Sequence, residues 1–333
     1  MAGRLNRSGA VRTPLTALVI VTLMVLPPVG AGGAAPAAPV SADQQRPVAT
    51  FRGGIEAVSV AAAVRDRRGR VVRGLEGRDF EVIDSGMGRA IRDFYSGEAA
   101  ISLAVLLDVS GSMAVGGNMD RARHAVQMIT RALTRTGDEA ALFTFDATLR
   151  EVVGFTTDLD RVRRLSLEGR PWGLTSLYDA VAQAAKTVAG RTNRHRALLV
   201  ITDGVDTGSR LTAPEVSGIA AAIDVPVHLL VVVTPLDHPG DRLAVVADGA
   251  STSTATLADL ARWTGGDMRM ASAPAQALEA ARDLIGELRH QYLITFEPDP
   301  RPGWHPLEVR ARDGDLIVHA RGGYMSGPAR DEN

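Results

Sequence analysis

The feature that most constrains this chain is a series of short apolar runs separated by segments of helical periodicity. Leu103–Leu107 (LAVLL), Ala197–Ile201 (ALLVI) and Val227–Val233 (VHLLVVV) are nearly unbroken, as in strands buried on both faces of a sheet. Ala141–Phe145 and Arg150–Phe155 read as two further strands. Between them lie helix signatures. Asn118 is placed to cap a helix whose inward face is Ala122, Val126, Ile129 and Leu133. Ser176-Leu177-Tyr178-Asp179 and the stronger Thr212-Ala213-Pro214-Glu215 both match a capping box. Leu257–Trp263 fits a helix stopped by Gly265-Gly266, and Ala275–Leu288 is amphipathic through Leu278, Ala281, Ile285 and Leu288. This alternation predicts an α/β domain over 99–290, with a Rossmann-like doubly wound, mostly parallel sheet and helices on both faces.

The flanks read differently. Residues 53–98 carry strand patterns at Val58, Val60, Ala62 and Val64, at Asp79–Ile83 and around Ile91 and Phe94. Residues 291–325 return to alternation at Tyr292, Ile294 and Phe296. A hairpin is expected next, from Leu307, Val309 and Ala311 through Asp313-Gly314 to Leu316, Val318 and Ala320. Neither flank has enough apolar surface for a core of its own, so the two are expected to form one small β-sandwich beside the α/β domain.

The first 42 residues have the plan of a signal peptide. Arg4, Arg7 and Arg12 precede the apolar run Leu15–Leu26, and Val40-Ser41-Ala42 and Val29-Gly30-Ala31 are both cleavage candidates. The apolar run spans about 12 residues, short of the ~20 that cross a bilayer. Residues 43–52 read as a linker and 326–333 as a disordered tail. The expected location is therefore exported: secreted, cell-surface or periplasmic. The chain has no cysteine, which excludes disulfide scaffolds, cysteine nucleophiles and thiolate-bound zinc. A net charge of −1 gives no basic excess of the kind that points to a nucleic-acid partner.

Chemistry concentrates where the first apolar run ends, in Asp108-Val109-Ser110-Gly111-Ser112. In open α/β sheets ligands bind beyond the carboxyl ends of strands. Three oxygen-bearing side chains at alternate positions on one loop converge there, with Gly111 expected to ease the turn. Thr175 precedes a helix and Asp203 follows the strand 197–201, so both belong to the same end of the sheet. An all-oxygen set suits a hard cation: Mg²⁺, with Mn²⁺ and Ca²⁺ as alternatives. Two carboxylates and three hydroxyls leave the ion electrophilic and leave one position for water or an incoming acid.

This pattern resembles the metal-ion-dependent adhesion site of von Willebrand factor type A domains, and all five positions match it. The resemblance implies direct binding of the ion by Ser110, Ser112 and Thr175. Asp108 and Asp203 would bind directly or through water, and a partner protein would present a carboxylate to the ion. A closer likeness, to an exported bacterial group with a related domain, runs through Asp66…Gly69…Leu75…Asp79-Phe80…Asp84, then Gly173…Thr175–Ala180, Asp203–Thr207 and Thr264-Gly265-Gly266. It continues through Leu288-Arg289…Tyr292 to Arg321-Gly322-Gly323-Tyr324. Here Ser85 stands where that group carries Gly after the aspartate.

The expected class is thus a non-enzymatic, metal-dependent binding module. A metal-dependent hydrolase, with Asp108 or Ser110 as nucleophile, and a passive envelope component with a structural metal are the alternatives. Against the hydrolase, there is no second Asp two residues after Asp108, no Gly-x-Ser-x-Gly elbow and no His-Glu-x-x-His. Asp146, Asp206 and Thr207 read as loop-shaping residues, Asp179 as a helix cap and His228 as a strand residue. Met113–Met119 and the Thr234–Thr256 loop are candidate rims.

Overall fold

Strand and helix ends are set where the apolar runs meet their turn residues. In the computed structural model, residues 57–164, 170–204, 206–234 and 252–326 are described. The leader, the linker, residues 235–251 of the long loop and the tail from 327 lie outside them. In chain order the strands are β1 (Val58–Arg65), β2 (Phe80–Asp84), β3 (Met87–Arg89), β4 (Ile91–Ser96), β5 (Ile101–Asp108), β6 (Glu139–Phe145) and β7 (Leu149–Thr156). They continue as β8 (His195–Thr202), β9 (Val227–Val232), β10 (Met268–Ala271), β11 (Tyr292–Phe296), β12 (Gly303–Ala311), β13 (Ile317–Ala320) and β14 (Gly323–Ser326). The helices are α1 (Asn118–Ala132), α2 (Leu159–Arg163), α3 (Leu177–Ala189), α4 (Ala213–Ala222), α5 (Thr252–Thr264) and α6 (Pro274–Arg289).

The central sheet has the order β10-β9-β8-β5-β6-β7, parallel throughout except for β7. All eight residues of β5 are buried. Ile101, Leu103, Val105 and Leu107 face one core layer, with α1 and α6, and Ala104 and Leu106 face the other, with α3, α4 and α5. That two-sided burial is why the strand lacks polar alternation. The chain leaves β5 towards β6 and later leaves β8 towards β9, so the order reverses beside β5. The crevice of a doubly wound sheet forms at such a reversal.

The terminal strands form two four-stranded sheets, β13-β1-β11-β4 and β14-β12-β2-β3. Each mixes strands from before and after the α/β region. Val60, Ala62, Phe80, Val82, Tyr292, Ile294, Phe296, Val309 and Tyr324 fill the space between them. The sandwich docks at the amino ends of the central strands. Arg321 is buried there and donates to the carbonyls of Ala221 and Ser59, with Asp224 beside it. Arg65 of β1 pairs with Asp267, at 2.9 Å, and with the buried Glu287. Among the described residues, no helix is long and apolar enough to cross a membrane.

Four local expectations are corrected. β12 and β13 are not a hairpin: β12 pairs with β2 and β14, whereas β13 crosses to β1 in the other sheet. A hairpin would put both strands in one layer; crossing gives each sheet its fourth strand. Asn118 is the first residue of α1 rather than its cap, which is Gly117, and its side chain accepts from Arg121 instead. Asp179 does not cap α3; its carboxylate accepts the N–H groups of Arg210 and Leu211. The fifth helix starts at Thr252, five residues before the expected Leu257. The Thr212–Glu215 box is as read, with Glu215 Oε2 accepting the Thr212 N–H at 2.7 Å. Ser85 takes a left-handed conformation (φ 53°) and its hydroxyl donates to Asp84 at 3.1 Å.

Two measurements test the docking of the sandwich. Arg321→Met strands two backbone carbonyls and Asp224, so chemical denaturation should show a loss of roughly 3 kcal/mol. His228, enclosed between β8 and β10, has its imidazole pushed down to about 4, mainly by burial. Unfolded, it takes up a proton near 6.5; folded, it resists until about 4. Its contribution is therefore complete above pH 6.5 and is lost as pH falls towards 4, amounting to about 3 kcal/mol. The fall in stability over that window should be shallower in His228→Gln.

Candidate metal centre at the carboxyl ends of the central strands

β5 delivers Asp108 to the crevice beside β8, and the side chain is fully buried. Its Oδ1 accepts the Ser110 N–H at 2.8 Å and its Oδ2 accepts the Thr202 hydroxyl at 2.6 Å. The carboxylate is thereby held between the ends of β5 and β8. After β5 the backbone turns through a short 3-10 helix, Gly111–Ala114, which brings Ser110 Oγ within 3.2 Å of Ser112 Oγ. Neighbouring ligands about 2.1 Å from an octahedral Mg²⁺ lie roughly 3 Å apart, so this spacing fits a shared hard cation.

The loop carrying Thr175 is stitched to the first. Gly111 N–H donates to the Gly173 carbonyl at 3.1 Å, and Trp172 N–H donates to the Val109 carbonyl at 3.0 Å. Gly173 has φ 95°, a conformation that L side chains rarely adopt. Gly111 has no positive φ, and an added Cβ would meet the Gly173 carbonyl at an ordinary 3.5 Å, so the turn does not depend on glycine there as expected. Thr175 is buried; its N–H donates to Thr207 Oγ1 at 3.0 Å and its carbonyl accepts from Thr207 and Gly208 at 2.9 Å. Asp203 directly follows Thr202. Asp108, Ser110 and Ser112 are thus joined side chain to side chain or through the loop backbone, Thr175 is linked to them through backbone bonds, and Asp203 adjoins Asp108 electrostatically.

The electrostatics single out Asp108. Burial pushes its carboxyl up to about 6; the Asp203 charge adds to that push, and the hydrogen bonds from Thr202 and Ser110 oppose it. Five other carboxylates are buried among the described residues: Asp84, Asp138, Glu139, Glu287 and Asp299. Each has an arginine, namely Arg89, Arg289, Arg191, Arg65 and Arg301. Asp108 has only neutral donors and a second carboxylate. A buried charge without a countercharge costs several kcal/mol, and among the described residues Asp108 has no cationic side chain paired with it.

Sequence reasoning missed Thr202 and Ser209. Thr202 ends an otherwise apolar strand one residue before Asp203, and that lone hydroxyl was the available signal. Ser209 Oγ accepts the N–H groups of Tyr178 and Asp179 and donates to Asp206, while Asp206 accepts the Leu177 N–H at 2.8 Å. The loop 206–209 therefore caps α3, whose start presents Thr175. Asp146 is a loop residue as read; Thr148 and Arg150 occupy its carboxylate. His228 is a buried residue of β9, and Trp172 stands 83% exposed.

The family description "von Willebrand factor type A domain" matches residues 103–205. No curated protein matches the chain. Among solved structures, the conserved hypothetical protein BatB from Bacteroides thetaiotaomicron is 18% identical, with a TM-score of 0.44, over 57% of this chain and 98% of that one. A von Willebrand factor type A protein from Catenulispora acidiphila is 14% identical, with a TM-score of 0.45, over 74% and 73%. The PilB minor pilin from Streptococcus sanguinis is 12% identical, with a TM-score of 0.43, over 58% and 62%. With TM-scores below 0.5, these likenesses carry no functional argument. The matched segment contains the loop Asp108–Ser112, Thr175 and Asp203, set in a doubly wound sheet: this chain carries a von Willebrand factor type A domain.

Proposed function

We propose that the crevice holds a divalent cation, Mg²⁺ with Mn²⁺ and Ca²⁺ as alternatives, and that the protein uses it to bind the carboxylate of a partner protein. Ser110, Ser112 and Thr175 would hold the ion directly, and Asp108 and Asp203 directly or through water. The bound ion supplies an electrophilic position for an acidic oxygen. The observation that carries this reading is Asp108, the one buried carboxylate without an arginine among the described residues. Thr202 and the Ser110 N–H orient it, and the Gly111–Gly173 bond keeps both donor loops in register. The signal-peptide plan of residues 1–42 supports an exported location: secreted, cell-surface or periplasmic. A non-enzymatic role fits a site whose serine hydroxyls face each other and whose aspartate has no histidine partner among the described residues.

Thermal melts in Mg²⁺ and in EDTA test the ion. At a hundredfold excess over Kd a ligand adds about 2.7 kcal/mol, or roughly 5–10 °C for a domain of this size. Wild type should rise by that amount in Mg²⁺. Asp108→Asn removes a buried charge whose cost is on the order of 3 kcal/mol, so in EDTA the variant should melt at or above wild type. In Mg²⁺ that order should reverse. A wild-type melt indifferent to Mg²⁺, Mn²⁺ and Ca²⁺ would sink the proposal. Turnover of p-nitrophenyl phosphate or acetate by the Mg²⁺-loaded protein, abolished in Asp108→Ala, would instead favour the hydrolase.

A further inference from the structure

Two polar atoms on facing elements, far from the candidate metal centre, are buried without a protein partner among the described residues. One is Nε2 of His228 on β9, and the other is Oε1 of Glu287 on α6. Both residues are almost sealed from solvent, at 3% and 1% exposure. The second polar atom of each side chain is engaged. Nδ1 of His228 accepts the Asp267 N–H at 3.2 Å, and Oε2 of Glu287 accepts from Arg65. A ring nitrogen that accepts carries no proton, so the neutral imidazole has its proton on Nε2. The two unpartnered atoms are therefore one donor and one acceptor. Folded proteins rarely leave such atoms unpaired.

A small cavity lies beside the histidine. It measures about 10 Å³ and is lined by His228, Asp267 and Arg269 on the sheet and by Ala280, Ala281 and Leu284 of α6. Roughly 10–15 Å³ of such space holds one water molecule. By the two-residue period of a strand, His228 shares its face with Leu230 and Val232, which pack in the same core layer as Leu284. Glu287 stands three residues beyond Leu284, on the same side of the helix. Of the charges around His228, that of Glu287 acts on the ring most strongly. A guest here must accept a hydrogen bond on one side and donate one on the other, and it must be no larger than a single oxygen with its protons. A bare cation fails the first condition, because an N–H faces it. Water meets all of them.

We propose that this cavity is a built-in water site, in which one water molecule accepts from His228 Nε2 and donates to Glu287 Oε1. The water joins β9 to α6 and, through the pair of Glu287 with Arg65, to β1 of the sandwich. A crystal structure of the full chain that shows ordered waters tests it. Density should lie about 2.7–3.2 Å from both atoms. A direct bond between His228 and Glu287, or no density between them, overturns the proposal. So does anomalous scattering at that position after a thallium soak, which marks a monovalent cation. In solution, ¹⁵N-histidine labelling should place the His228 proton on Nε2, with a cross-relaxation peak to water; a proton on Nδ1 overturns the proposal. Ala281→Val fills the cavity with two methyl groups and strands both atoms. It should remove the water peak and lower the folding equilibrium constant about tenfold or more. In a His228→Leu background there is no donor to strand, so the same substitution should cost much less. An equal cost in both backgrounds marks simple overpacking and overturns the proposal. Where His228→Leu does not fold, the crystallographic and labelling measurements decide.

Discussion

Removing a carboxylate from water costs several kcal/mol unless a countercharge or a full set of donors replaces the solvent. This fold meets that demand differently at its two ends. At the amino ends of the central strands the buried acids Asp138, Glu139 and Glu287 each have an arginine, and those pairs join strand starts to helix ends and to the sandwich. At the carboxyl end Asp108 has hydroxyl and amide donors and a second carboxylate nearby. One end is closed by its own cations. The other leaves a buried carboxylate with uncharged donors and a second carboxylate only. The metal reading follows from this asymmetry more directly than from the motif.

The same asymmetry organises the assembly. Two small sheets, neither with a core of its own, close over Phe80, Tyr292, Phe296 and Tyr324 and attach where the ion pairs are. The loops carrying Asp108–Ser112 and Thr175 lie at the far end, where backbone bonds such as Gly111 to Gly173 hold them together. Strands set the positions of Asp108 and Asp203, while Thr175 is placed by loop backbone bonds.

Much of this was legible in the residues. β5, β8 and β9 were readable because two-sided burial forces continuous apolar runs, and the Asp108–Ser112 loop because it begins where such a run stops. Terminal strands from 58 to 64 and 292 to 296 showed the period of two that one-sided burial imposes. What escaped reading depended on tertiary partners. The four-residue β10 is too short to carry a pattern. β12 and β13 have the local signature of a hairpin, and only the competing offers of β1 and β2 separate them. Thr202 and Ser209 gain their roles from groups far along the chain, at Asp108 and at the start of α3, and no local spacing reveals that.

The attachment of the sandwich has a mechanical corollary. Chain enters through β1 and leaves through β14, and both strands belong to sheets docked at the amino ends. A pull applied ahead of β1 or beyond β14 therefore loads the sandwich first, because the α/β layer is inserted in the chain between β4 and β11. The donor loops stand one strand length away, about 26 Å for eight residues, off the line of that force. Under tension the loops at the far end would keep their geometry until the paired terminal strands separate.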